Sequence, residues 1–241
     1  MKETDLKKVK MRAKLFLYLD YEKVEELPSA VFVHHPFLSS TTIFNPDTKE
    51  FENVEDETVL DNYHKRMLTE IDKSDLIHIF MLMNTPYHLA FIKYIEPFLS
   101  DKDLAELFAD AWVATENPNQ DANCSISYLT KLIKRCDKHY LMTSEDYEVY
   151  QNLPEQFTIY RGVAVGRARN GLSWTRNKEK AIWFANRFNT KDKSGYLLTT
   201  VINKSDVLAY FNTRGEEEIV VNVNSKRFKK ERIELNGTDV D

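Results

Sequence analysis

The chain has 241 residues, enough to bury a sizeable core in one large domain or two modest ones. Its 42% apolar and 12% aromatic content is that of a globular protein, and 29% charged residues imply a well-solvated surface rather than a disordered chain. A net charge of −5 without a dense basic face argues against a nucleic-acid module, and the longest apolar run, Leu76 to Met83, is too short to span a bilayer.

Met1 to Lys14 is charged throughout and lacks the apolar stretch of a secretory signal. The two cysteines, Cys124 and Cys136, fit a reducing compartment. Two thiols and a cytoplasmic location are therefore expected. Residues 1–100 are predicted to be a mainly helical region to which the sequence assigns no role. Within it, Leu60, Tyr63, Met67 and Ile71 recur near helical spacing, and Pro86 opens a second helix through Tyr94. Ser100 followed by acidic residues caps a helix over Leu104 to Val113. Residues 116–123 read as a polar loop, and Ser125 to Cys136 and Ser144 to Tyr150 as two more helices. His34-His35-Pro36 lacks the spacing of a ligand set, and His64, His78, His88 and His139 are scattered, so packing or surface roles are expected and no metal is implied.

The composition changes near position 154. All seven prolines lie at or before it and all six glycines after it. Residues 1–154 carry 17 Lys+Arg against 27 Asp+Glu, a net of −10, whereas residues 155–241 carry 16 against 11, a net of +5. The later part suits an anionic ligand. It reads as strands at Phe157 to Ala164, Leu172 to Thr175, Tyr196 to Ile202, Val207 to Phe211, Glu218 to Val223 and Arg227 to Leu235, with one prominent helix at Lys178 to Phe188. The predicted class is α+β: an N-terminal helical region (1–100), then a domain (101–241) with a helical lobe (101–154) and a β-sheet core (155–241). The basic stretch from Lys226 to Lys230 reads as the wet face of an edge strand.

Three segments carry candidate chemistry. In Tyr160-Arg161-Gly162, at a strand end, glycine lets a ligand approach and arginine offers a planar donor for phosphate; an ordinary surface arginine is the plainer reading. In Gly171-Leu-Ser-Trp-Thr, alternation puts Ser173 and Thr175 on one face and Trp174 on the other; Thr175 or Asn177 can equally cap the following helix. In Arg214-Gly-Glu-Glu-Glu, alternation puts Glu216 and Glu218 on one side, where two carboxylates can divide cation stabilisation and proton transfer; a charged hairpin loop is the alternative.

Taken in order, these segments resemble the Arg–Ser–Glu class of mono-ADP-ribosyltransferases, whose members carry an Arg on a first strand, a Ser-Thr-Ser-like strand and a Glu/Gln-x-Glu leading into a later strand. Ser173-Trp174-Thr175 is a variant of the second element, and Leu153 through Phe188 is also similar to small bacterial and phage proteins of this type. The likeness spans roughly residues 125–225; residues 1–100 lie outside it. It implies an ADP-ribosyltransferase-like sheet core, NAD as substrate, nicotinamide release and no metal. Arg161, with Gly162, would contact the NAD phosphates. Ser173 would fix Glu218, which would stabilise the oxocarbenium-like cation; Thr175 would support the strand or the nicotinamide pocket. Glu216 would orient or deprotonate the acceptor, and its being glutamate resembles members that modify arginine on proteins. Phe188 or Tyr196 would stack on nicotinamide, and the Ser125 to Cys136 helix would cover the adenosine end. The rival readings are an NAD glycohydrolase and an inactive interaction protein on the same fold; no membrane or nucleic-acid partner is expected.

Overall fold

The computed structural model describes residues 2–27, 30–115, 118, 121–190, 193–223 and 228–232. Its contacts divide the chain into two units, Met1–Leu104 and Ala105–Asp241.

In the first unit the charged N-terminal run is a helix, α1 (Leu6–Leu17), capped by the Asp5 carboxylate, which accepts the Lys8 N–H at 3.1 Å. Val9, Ala13 and Leu17 lie one above another along it and are fully buried. They face α2 (Glu57–Lys73), α3 (Leu76–Leu82) and α4 (His88–Ile95). Asp56 caps α2, and a 3₁₀ turn at Thr85–Tyr87 carries Pro86 into α4. His35 is buried: its Nδ1 accepts the N–H groups of Phe37 and Leu38, both at 3.1 Å, and burial pushes it down to about 4, so it packs as a neutral ring.

Helices predominate in residues 1–100, as expected, but do not stand alone. Two antiparallel hairpins are present, β1 (Glu22–Leu27) with β2 (Ala30–His34) and β3 (Thr42–Asn45) with β4 (Glu50–Asn53). The second lays Phe44 and Phe51 edge to face, with centroids 5.6 Å apart, on its exposed side. Cross-strand pairing of this kind, not an alternating buried face, holds a short hairpin together, so no periodicity announces it.

Helix α5 (Asp101–Ala114) starts where the cap pattern predicts: Ser100 Oγ accepts the Asp103 N–H at 3.0 Å. Ser125 caps α6 (Ile126–Arg135), and after α7 (Lys138–Leu141) the cap of α8 (Ser144–Gln151) is Thr143, one residue earlier than the expected start. Of the polar loop 116–123, residues 116, 117, 119 and 120 lie outside the described residues. Cys124 and Cys136 are buried thiols.

The second unit is built on a six-stranded antiparallel sheet in the order β10-β7-β5-β6-β9-β8. The strands are β5 (Gln156–Val163), β6 (Ser173–Thr175), β7 (Tyr196–Asn203), β8 (Val207–Phe211), β9 (Glu218–Val221) and β10 (Lys229–Arg232). Arg227 and residues 233–235 of the last expected strand lie outside the described residues. Helix α9 (Lys178–Asn186), capped by Asn177, rests on β5, β6 and β7. Backbone meets backbone there: a Cβ on Gly162 would lie 1.9 Å from Ala181 O, and one on Gly195 2.1 Å from Ala185 O. The protein is thus α+β, with helices preceding a sheet core that carries one helix across its centre. Among the described residues no helix is long and apolar enough to cross a membrane.

Candidate functional site

Residues of β5, β6 and the loop entering β9 line one cleft in the second unit, enclosing about 910 Å³ with the solvent space at its mouth. Arg161, Gly162, Ser173, Thr175, Glu216 and Glu218 all line it. Strand register explains the meeting. Thr175 pairs with both Tyr160 on β5 and Glu218 on β9, so positions far apart in sequence become neighbours across adjacent strands.

Strands β5 and β6 pair only through Tyr160 and Thr175. Beyond that pair Arg161 crosses the gap, and its Nη1 donates to Ser173 O at 2.6 Å, joining the strands where the ladder has ended. Gly171 leaves the room required, since a Cβ there would come within 2.3 Å of Arg161 Nη2. Arg161 Nε is buried without a hydrogen-bond partner, a cost of roughly 1–3 kcal/mol if nothing arrives to accept from it. Burial lowers the guanidinium to about 10 while the Glu218 charge supports it, so it stays protonated at neutral pH.

Glu218 is only 7% exposed, although it is a carboxylate at the start of a strand. Ser173 hydrogen-bonds its side chain, and Trp112 Nε1 of α5 donates to Oε1 at 3.1 Å. Burial pushes its pKa above the usual carboxylate range. The Ser173 and Trp112 hydrogen bonds and the Arg214 charge pull it back, and Glu216 pushes it up. Trp112, fully buried, escaped sequence reasoning. Its only sequence signal is that a buried indole N–H requires an acceptor, and nothing in the order of residues says which one, 106 positions away.

Glu216 shares the cleft with Glu218, but not through strand alternation. The chain turns at Gly215 (φ 65°) and Glu217 (φ 49°), and β9 begins only at Glu218. Asn212 shapes the turn, its carbonyl accepting the Gly215 N–H at 2.7 Å and its side chain the Glu217 N–H at 3.0 Å. Thr175 Oγ1 donates to Glu216 O at 3.0 Å and accepts the Asn177 N–H at 3.0 Å, so one hydroxyl fixes both the acidic turn and the start of α9. The Glu216 carboxylate is partly exposed and pairs with Arg214 Nη2 at 3.1 Å. Such a pair holds weakly and exchanges readily.

Four arginines (Arg161, Arg167, Arg187 and Arg214) face two carboxylates across the cleft, so it favours an anion. Arg167 and Arg187 flank the Phe188 ring with their guanidinium carbons 5.3 and 5.4 Å from its centroid, making a flat cationic edge. Of the two candidate stacking aromatics, Phe188 lines the cleft, whereas the Tyr196 ring lies under Lys230 Nζ at 3.6 Å. Helix α6 packs on β8, with Asn222 Nδ2 donating to Thr130 Oγ1 at 3.0 Å, and contributes no lining residue among those described. Its buried residues Leu129, Leu132 and Ile133 form one stripe along the helix. Among the described residues no cluster of three His, Cys, Asp or Glu side chains could hold a metal ion.

The arrangement can do two things. Its guanidinium groups bind an anion. Its dry carboxylate, held by fixed donors, stabilises positive charge developing beside that anion with little reorganisation. Comparison with family models, curated proteins and solved structures finds no match for this chain.

Proposed function

We propose that this protein cleaves NAD and transfers its ADP-ribose group to a protein acceptor, an arginine side chain. One observation carries the reading: Arg161, Ser173 and Glu218 meet on a single cationic cleft with Ser173 hydrogen-bonded to Glu218. In this reading Arg161, which lines the cleft, takes the NAD diphosphate, and Arg167 and Arg187 add charge around Phe188. The bond between ribose C1′ and the nicotinamide nitrogen breaks, and its electron pair leaves with neutral nicotinamide. Glu218, ionised, stabilises the cation left on the ribose. A guanidinium nitrogen of the acceptor then bonds to C1′, and its proton passes to Glu216 and on to solvent. Glu216 is suited to this because its hold on Arg214 is a partly exposed pair that an incoming guanidinium can replace.

Incubation with NAD labelled on the adenine side tests the proposal. Label on protein, lost after Glu218→Gln, is expected. Free ADP-ribose with no labelled protein would make the enzyme a glycohydrolase, and unaltered NAD would refute both reactions.

A further inference from the structure

Resting on that reading, we infer that Trp112 is a positioning residue that holds Glu218 in its working orientation. The indole of Trp112, fully buried on α5, donates from Nε1 to Glu218 Oε1 at 3.1 Å. An indole nitrogen donates and cannot accept. It therefore rewards an unprotonated oxygen at that place and fixes which edge of the carboxylate faces the protein. With the Ser173 hydroxyl also bonded to the side chain, Glu218 is gripped from α5 and from β6. A carboxylate gripped twice has lost the rotamer freedom that would let it swing away from an approaching cation. The Phe108 ring, 5.7 Å from the indole, and the buried apolar residues around α5 keep the indole from moving in turn.

The grip also bears on pH. The charged groups acting on Glu218 are Arg161 from β5 and Arg214 and Glu216 from the turn before β9. Two cations support ionisation, while burial and one carboxylate oppose it. The Trp112 donor adds to the first side, so removing it makes Glu218 harder to ionise.

Trp112→Phe keeps a ring and deletes the donor. The expected result is a fall in kcat for NAD cleavage of about ten- to a hundredfold, the scale of one hydrogen bond to a charged group. KM for NAD should stay within about threefold, because Trp112 itself does not line the cleft. The acidic limb of the kcat/KM profile should move to higher pH. A purely structural role would not move that limb, and an unmoved limb with wild-type kcat overturns the inference. A second measurement needs no Trp112 variant. In isotope-labelled full-length protein the Trp112 indole N–H resonance, assigned through its own side chain, should shift in Glu218→Gln. An unshifted resonance overturns the hydrogen bond. If wild-type protein leaves NAD intact, the transferase reading fails, and the resonance still decides whether Trp112 holds Glu218.

Discussion

Gly162→Ala puts one methyl group where the structure leaves no room. The new Cβ would lie 1.9 Å from Ala181 O, 2.7 Å from Ala185 N and 2.9 Å from Ala181 C, all backbone atoms of α9. No side chain can rotate to make space; α9 must lift off β5 by more than an ångström. Overpacking of this kind costs roughly 1–3 kcal/mol, and the entropy that alanine saves in the unfolded chain offsets up to about 1 kcal/mol of it. The net loss is about 1–2 kcal/mol, a fall in Tm of roughly 3–10 °C for a unit of this size. Gly166→Ala is the control: nothing lies within 4 Å of its added Cβ, and only the positive φ of 78° is strained, a cost of about 1 kcal/mol. Differential scanning calorimetry on both variants measures the difference. Because α9 also carries Phe184 of the cleft wall, Gly162→Ala should raise KM for NAD while Gly166→Ala leaves it nearly unchanged. A Gly162→Ala protein with wild-type Tm and KM would refute the backbone contact between α9 and β5.

If Glu216 serves the acceptor as proposed, Glu216→Gln should cut protein labelling strongly while slow NAD hydrolysis persists, since water needs no such help; nicotinamide release and labelling measured on the same samples check this, and an equal fall in both would tie Glu216 to cleavage. Glu218→Gln should melt above wild type at pH 8. Burial raises the Glu218 pKa in the fold, so its ionisation destabilises the native state as pH rises from the unfolded toward the folded value, and the advantage of Gln should vanish below the ordinary glutamate range. Thermal melts at pH 4 and pH 8 read this out, and a lower Tm at pH 8 would contradict it. For the same reason the acidic limb of NAD cleavage should lie above the ordinary glutamate range. Gly171→Ala should displace the Arg161 guanidinium and weaken NAD binding by about tenfold, the worth of one charge-assisted hydrogen bond, as measured by calorimetric titration.

Much of the second unit was legible because its signals are local. Ser100 and Ser125 announce α5 and α6 by cap chemistry, whereas Gly162, expected to admit a ligand, instead lets the backbone of α9 approach β5, as Gly195 does beside β7. The three motifs gave the cleft residues, since Arg161, Ser173 and Glu218 each sit at a strand position that register then brings together. What stayed hidden depended on distant partners. Val9, Ala13 and Leu17 were present at helical spacing behind the Asp5 cap, but the lysines between them masked the stripe. The β1–β2 and β3–β4 hairpins rest on pairing across strands. Glu216 reached the cleft through a left-handed kink at Glu217, a non-glycine residue for which the extended alternation gave no warning. Trp112 bonds a residue 106 positions on, and only the fold brings them together.

In the proposed reaction a buried, ionised Glu218 drives departure of nicotinamide from NAD bound in the cationic cleft. Nicotinamide release from NAD, followed for wild type and Glu218→Gln under identical conditions with both shown folded by their melts, tests it most directly. Wild type should release nicotinamide, and Glu218→Gln should lose at least about a hundredfold, the scale on which removing one preorganised electrostatic group slows an enzyme. Near-wild-type release by Glu218→Gln would contradict it.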